Sequence, residues 1–232
     1  MEGARSAGAG GGVVTFTVID AEQRSEAWFA ARLGRLTGSR AADMLSIIKS
    51  GEAAARRDLR LRLVIERITG QPQDDGYINA VMQRGVDLEP AALAAYEALT
   101  GRVVTRVGFI AHDTLMAGCS PDGLTDDGGL LELKCPKSAT HLRYLRGEYA
   151  VPSEHLAQVL HNLWITGAPY CDFLSYDDRF PEALRVFYVR HERDEDAIAA
   201  YAAKAVAFLA EVETETRACL TLADIGRVLE VA

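Results

Sequence analysis

Residues 119 to 136 read CSPDGLTDDGGLLELKCP, and three of their side chains could do chemistry together: Asp122, Glu132 and Lys134. In a strand, residues two apart share a face while the one between points the other way. Glu132 and Lys134 therefore project together, with Leu131, Leu133 and Cys135 on the opposite face and Pro136 ending the strand. The ordinary meaning of such a pair is a solvent-facing ion pair. Here the flanking residues are apolar, which marks a central, at least half-buried strand where an isolated ion pair is costly. Asp-Asp-Gly-Gly at 126–129 is hairpin chemistry and would fold Asp122 back beside Glu132. Two converging carboxylates repel unless a cation joins them. Oxygen ligands of this kind suit magnesium or manganese. A lysine beside them can orient a water, lower its pKa, or stabilise charge developing on a phosphate. The chemistry indicated is metal-assisted phosphodiester hydrolysis.

The elements that must position these residues alternate in texture. Residues 1–12, MEGARSAGAGGG, are low in complexity and read as a disordered tail, leaving 13–232 as a single domain. A β-branched run covers 13–19. Residues 25–45 read as two short helices broken between Gly34 and Gly38, with Ser39 as N-cap of the second. Residues 52–69 form a charged helix that ends before Gly70 and Pro72, and 74–76 form a turn. The stretch 78–101 is helical, with Glu89 introducing a helix whose first turn holds Pro90 and which stops at Gly101. A meander of strands follows through Cys135. Residues 153–167 form an amphipathic helix, CDFLSYD and LRVFYVRH two further strands, and 194–217 a long closing helix. The fold class is α/β (α+β mixed), a central mixed sheet flanked by helices.

The composition is that of a globular chain: 49% of 232 residues are apolar and 25% charged. No window approaches a membrane span, and the N-terminus has no signal-peptide pattern, so the expected location is the cytoplasm. The four cysteines, Cys119, Cys135, Cys171 and Cys219, form no CxxC pair and read as buried reduced thiols. A formal net charge of -8 excludes a generally basic surface that coats nucleic acid, though not a local basic groove.

Pro-Asp followed ten residues later by Glu-x-Lys is the spacing of the PD-(D/E)xK nuclease superfamily, with its restriction-endonuclease-like core. The surrounding residues narrow the resemblance. WFAARLGRLTGS, RGVDLEPAALAAYEALTG, GCSPDGL, LLELKCP, AQVLHNLWITG and SYDDRF with VFYVRHERDE occur in order from Trp28 to about Phe208. Together they resemble the lambda-exonuclease and YqaJ-like family, the alkaline exonucleases of phage recombination. That resemblance implies a magnesium-dependent, processive 5′→3′ double-strand DNA exonuclease that leaves 3′ overhangs. It implies a ring-shaped homotrimer and a single-strand annealing protein as partner.

By the same resemblance, Asp122 and Glu132 are metal ligands with the main-chain carbonyl of Leu133, and Lys134 positions the attacking water. Glu89 completes a site for two ions, magnesium or alternatively manganese. Arg32, Ser39 and Ser120 match positions that grip the terminal 5′-phosphate, and Gln158 a helix glutamine facing the site. Two departures stand out. His155 replaces a tyrosine common three residues before Gln158, leaving a phosphate or base contact and a plain helix histidine both open. Asp113 sits one residue out of register with an acidic position. Trp164, Leu160 and Leu163 read as core. The other readings of the residues are a restriction-like or RecB-like endonuclease, a silent DNA-end-binding protein, and a small-substrate phosphoesterase. Arg35, Arg40, Lys49, Arg56 and Arg57 are the cations available to line a channel.

Overall fold

The computed structural model describes residues 3–7, 14–73 and 80–230. Its first strand, β1 (Gly3–Ala7), pairs antiparallel with β2 (Val14–Ile19). Five residues of the stretch expected to be a tail are thus in a sheet, because a ladder of backbone hydrogen bonds needs no apolar side chain to fill it. Helix α1 (Glu26–Arg32) starts where Ser25 Oγ accepts the Trp28 N–H at 3.2 Å. The expected break at Gly34 to Gly38 conceals a two-residue strand, β3 (Leu36–Thr37), and a 3-10 turn over Gly38–Arg40 before α2 (Ala41–Leu45). Ser39 lies inside that turn and caps nothing; Arg40 occupies the capping position of α2.

Helix α3 (Ala54–Thr69) ends at left-handed Gly70, as its sequence requires, and the turn expected at 74–76 lies outside the described residues. Helix α4 (Ala80–Thr100) runs through Pro90, so Glu89 sits in mid-helix and not in a first turn. A proline there removes one hydrogen bond. Leu88, Ala92 and Tyr96 nevertheless form one stripe packed on the sheet, which holds both halves of α4 in line.

The meander becomes β4 (Val104–Thr105), β5 (Phe109–His112), β6 (Ala117–Cys119), β7 (Gly123–Thr125) and β8 (Leu130–Lys134). Helix α5 (Ser138–Arg146) was hidden in a polar stretch whose buried positions are His141 and Tyr144. Then come α6 (Ser153–Thr166), β9 (Tyr170–Tyr176), β10 (Val186–Glu192) and α7 (Glu195–Glu230), which outruns its expected end at 217. Among the described residues no helix is long and apolar enough to cross a membrane.

Where one central sheet was expected there are two, ordered β1-β2-β5-β6-β3 and β10-β9-β8-β7-β4. Each is mixed: β3 runs parallel to β6, β8 runs parallel to β9, and the other pairs are antiparallel. The division falls at Ser120-Pro121-Asp122, between β6 and β7, where a proline cannot donate to a ladder. Strand β8 is central in its sheet. Its Leu131 and Leu133 pack with Ala92, Tyr96, Leu174 and Tyr176, while Leu130 joins the larger core around α6. Glu132 and Lys134 share the Leu130 face.

Helix α6 is buried through its second half, including Val159, Leu163, Trp164 and the polar His161 and Asn162. His161 Nε2 donates to the Gly118 carbonyl at 2.9 Å, so Nδ1 accepts from the Tyr201 hydroxyl at 2.8 Å. One imidazole thereby ties α6 to β6 and α7. Burial lowers its pKa from 6.5 to about 4. The unfolded chain therefore takes up a proton that the folded one refuses, so this stabilisation is complete above pH 6.5 and lost as pH falls towards 4. Replacing His161 by Leu strands a buried carbonyl and hydroxyl and should cost about 2–4 kcal/mol. Thermal denaturation across this pH range should also show a shallower acid limb for the variant, and an unchanged limb would assign the acid sensitivity elsewhere.

Candidate active site

The β7–β8 hairpin builds the centre. Thr125 N–H donates to the Gly129 carbonyl and Gly128 N–H to the Thr125 carbonyl, each at 3.0 Å, and Gly128 takes φ +90° to close the turn. The register Gly123 to Leu131 and Leu124 to Leu130 then sets Asp122 across from Glu132. Asp122 is fixed twice: its N–H donates to the Leu131 carbonyl at 3.0 Å, and its Oδ2 accepts the Leu133 N–H at 2.6 Å.

Glu132 is 2% exposed. Lys134 Nζ donates to its Oε1, as does Gln158 Nε2 at 2.6 Å, and Asn162 Nδ2 reaches Oε2 at 3.2 Å. Gln158 Oε1 also faces Lys134 Nζ at 3.4 Å. Gln158 and Asn162 are one turn apart on α6, so one helix face braces the strand carboxylate. Glu89 stands on the other wall, paired with Arg24 at 2.7 Å. Arg24, Glu89, Ser120, Asp122, Glu132, Leu133, Lys134, Cys135 and Gln158 all border one cleft of about 370 Å³.

The electrostatics of this cleft call for positive charge. Burial, and next the charge of Glu132, push Asp122 up to about 7, against the Lys134 charge and the Leu133 N–H. Burial works against the Lys134 ammonium, yet the Glu132 and Asp122 charges outweigh it and raise its pKa. Among the described residues no three His, Cys, Asp or Glu side chains cluster as a complete ligand cage. The donor set is two adjacent carboxylates with a third across the cleft. Hard oxygens of this kind fit a divalent cation that completes its shell with water or substrate. Cys135 is unsuited to that role, because burial raises its thiol to about 12. All four cysteines are free thiols; Cys119 and Cys171 are buried, Cys135 is half-buried and Cys219 is exposed, against the expectation of burial.

Beside the cleft, Trp28 assembles a second group of residues. Its indole N–H donates to Ser120 Oγ at 2.9 Å, and the Arg32 guanidinium lies 3.9 Å from its ring centroid. Arg32 also donates to Ser39 Oγ at 3.4 Å. Arg32, Ser39 and Ser120, distant in sequence, are neighbours here. Trp28 was missed as an organiser; its placement one helical turn before Arg32 was the available signal. The Ser39 turn approaches α6 because Gly38 lacks a β-carbon, which would lie 2.4 Å from Asn162 Oδ1.

The remaining candidates fall elsewhere. His155 shares a 3.1 Å hydrogen bond with the Tyr144 hydroxyl and packs on Phe173; burial, then the Lys134 charge, lowers its pKa to about 4. It is a packing histidine behind the cleft. Asp113 follows β5 and accepts from Thr17 Oγ1 at 2.9 Å, outside the cleft. Leu163 and Trp164 are core, with Leu160 partly buried against them.

The profile of the YqaJ-like viral recombinase domain matches residues 27–169, which include every residue of the two groups except Arg24. The chain belongs to the YqaJ-like viral recombinase family. An alkaline exonuclease (LHK-Exo) from Laribacter hongkongensis is 42% identical, over 86% of this chain and 98% of that one, with a TM-score of 0.78. The structure of LHK-Exo in complex with dAMP matches at the same identity and coverage, with a TM-score of 0.79. A phage related exonuclease from Haemophilus somnus 129PT shares the fold at 12% identity and a TM-score of 0.59, over 80% of this chain and 96% of that one. No curated protein matches.

Within this YqaJ-like domain, the raised Asp122 pKa has a consequence for stability. A carboxyl that ionises near 7 when folded and near 3.8 when unfolded stabilises the fold at low pH, and that stabilisation is lost as pH rises through 7. In chelator, the thermal midpoint of the wild type should fall relative to that of Asp122→Asn from about pH 4 to 7 and level off above it. Equal slopes for the two proteins would place the burden on another group.

Proposed function

We propose that this chain is a magnesium-dependent, processive 5′→3′ double-strand DNA exonuclease, leaving 3′ single-stranded overhangs for recombination by strand annealing. The observation that carries the reading is the convergence of Asp122, Glu132, Lys134, Ser120 and Gln158 on one cleft, in a chain of the YqaJ-like family. The alkaline exonuclease relative supports the reaction class, and its complex with dAMP supports a mononucleotide product.

Asp122, Glu132 and the Leu133 carbonyl would hold the divalent ion, magnesium or manganese, with Glu89 serving a second. Such ions lower the pKa of a water and offset charge on the phosphate. The chain's own groups supply orientation. Lys134 is held by Glu132 and Gln158, and an ammonium has three hydrogens, so one remains to fix the attacking water. Water adds to phosphorus, and the bond to the 3′ oxygen of the departing nucleotide breaks. Arg32, Ser39 and Ser120 seat the terminal 5′-phosphate. Anchoring that end sets the next phosphodiester at the cleft and makes the step one nucleotide long.

The chain, with β1 in its first sheet, acts as one nuclease domain in the cytoplasm, assembled as a homotrimeric ring and working with a single-strand annealing protein. A ring retains duplex by topology, so a net charge of -8 is no obstacle. The cations first considered for a channel are largely engaged: Arg56 with Glu52 and Glu211, Arg57 with Asp58, Arg40 with Asp43, and Arg35 with the Leu115 and Ala117 carbonyls.

The decisive assay uses linear duplex DNA with 5′-phosphate or 5′-hydroxyl ends, with magnesium or chelator. Magnesium-dependent loss of one strand from phosphorylated ends is expected, with Lys134→Ala slower by about 10²–10⁴-fold. Arg32→Ala should erase most of the preference for the phosphorylated end. Cleavage of closed circles would replace this reading by an endonuclease, and binding without cleavage under magnesium or manganese by an end-binding protein.

A further inference from the structure

Arg24 lies just upstream of the span that matches the family profile. Its backbone sets it apart. Among the described residues it is the one non-glycine with positive φ, +73°. Ser25 N–H donates to the Glu22 carbonyl at 3.0 Å, closing a β-turn with Arg24 at its third position. Glycine is the usual occupant there, because a β-carbon crowds the left-handed backbone. Strain of this sort persists when the surroundings enforce it, and such residues cluster at functional sites.

The surroundings do enforce it. Gln23 Nε2 donates to the Val107 carbonyl at 3.1 Å and to the Pro121 carbonyl at 3.2 Å, clamping the turn to the segment that carries Asp122. Ser25 caps α1 on the other side. The turn therefore aims Arg24 into the cleft that Ser120, Asp122, Lys134 and Gln158 border. There it meets Glu89 through a single terminal nitrogen at 2.7 Å, with its side chain 42% exposed.

We propose that Arg24 is a phosphate ligand for the DNA strand, held in reserve by Glu89; this rests on the nuclease reading above. A carboxylate turned to a divalent ion gives up its guanidinium partner. The freed fork is suited to the two oxygens of a phosphate, a better match than one carboxylate oxygen. Metal binding at Glu89 and DNA binding by Arg24 then favour one another, and the coupling is reciprocal. A simple exposed ion pair tying the turn to α4 would give no such coupling and little stability.

The test uses the full chain, a fluorescein-labelled 5′-phosphorylated duplex and fluorescence anisotropy, in chelator and in calcium. Arg24→Gly suits the backbone, so its thermal midpoint should match or exceed that of the wild type. Calcium should tighten binding by the wild type, and Arg24→Gly should lose about tenfold in calcium with little change in chelator, its salt slope falling by about one. Glu89→Gln should bind DNA more tightly than the wild type in chelator, because Arg24 is already released. Calorimetric calcium titration without DNA should show tighter binding to Arg24→Gly than to wild type. An undiminished calcium effect in Arg24→Gly, with the wild type binding normally, removes the role of Arg24 alone. A wild type that neither binds duplex ends in calcium nor cuts them in magnesium removes the nuclease reading, and this role with it.

Discussion

Glu132 is a carboxylate buried where β8 meets α6, and a charge in that position persists only if its neighbours supply hydrogen bonds and opposite charge. Lys134, Gln158 and Asn162 supply them. Each comes with a structural demand. Lys134 must share the strand face, so β8 must keep its alternation. Gln158 and Asn162 must lie one turn apart on a helix pressed against that strand, so α6 must be buried. Asn162 in turn needs Gly38 on the neighbouring turn, because a β-carbon there would collide with it. The placement of Ser39, carried on that same turn, follows from accommodating one buried charge.

The crossing between the two sheets has a similar economy. Ser120-Pro121-Asp122 leaves one sheet and enters the other, and those residues belong to both halves of the site. Ser120 receives the Trp28 indole N–H from α1, while Asp122 is locked into the hairpin by Leu131 and Leu133. Gln23 reaches the Pro121 carbonyl from a third direction. The Trp28–Ser120 group and the carboxylate group therefore share one segment between the sheets, held by hydrogen bonds from three directions.

The acidic composition is largely absorbed by paired charge. Arg56 and Arg60 on α3 engage Glu52 together with Glu211 and Glu215 of α7, and Arg67 engages Glu213. These contacts register the closing helix against the domain. Single exposed pairs contribute little, whereas a network with several arms gains by sharing the cost of ordering its side chains. The arginines so used tie α3 to α7, while Arg24 and Lys134 border the cleft and Arg32 stacks on Trp28 beside it.

Local signals determined much of this protein without a structure. Alternation over Leu130–Lys134, a turn of Asp and Gly before it, and a proline on each side specified which carboxylates face which way, because strand periodicity and turn chemistry are properties of neighbouring residues. Helix ends at Gly70, Gly101 and Gly167 were legible for the same reason. What failed was decided at a distance. Pro90 lies inside α4 because packing on β8 and β9 outweighs one lost hydrogen bond. Ser39 caps nothing because it lies inside the 3-10 turn that follows β3, and a strand as short as β3 exists only through its partner β6. The single sheet expected became two because Pro121 interrupts a ladder that local alternation could not rule out. Trp28, Asn162 and Arg24 joined the site unannounced, since nothing in a residue's own neighbourhood states what will stand across a cleft from it. Sequence alone indicated which residues were equipped for the chemistry; the tertiary fold decided which of them meet, because burial, hydrogen bonds and ion pairs between segments far apart in the chain form only when it folds.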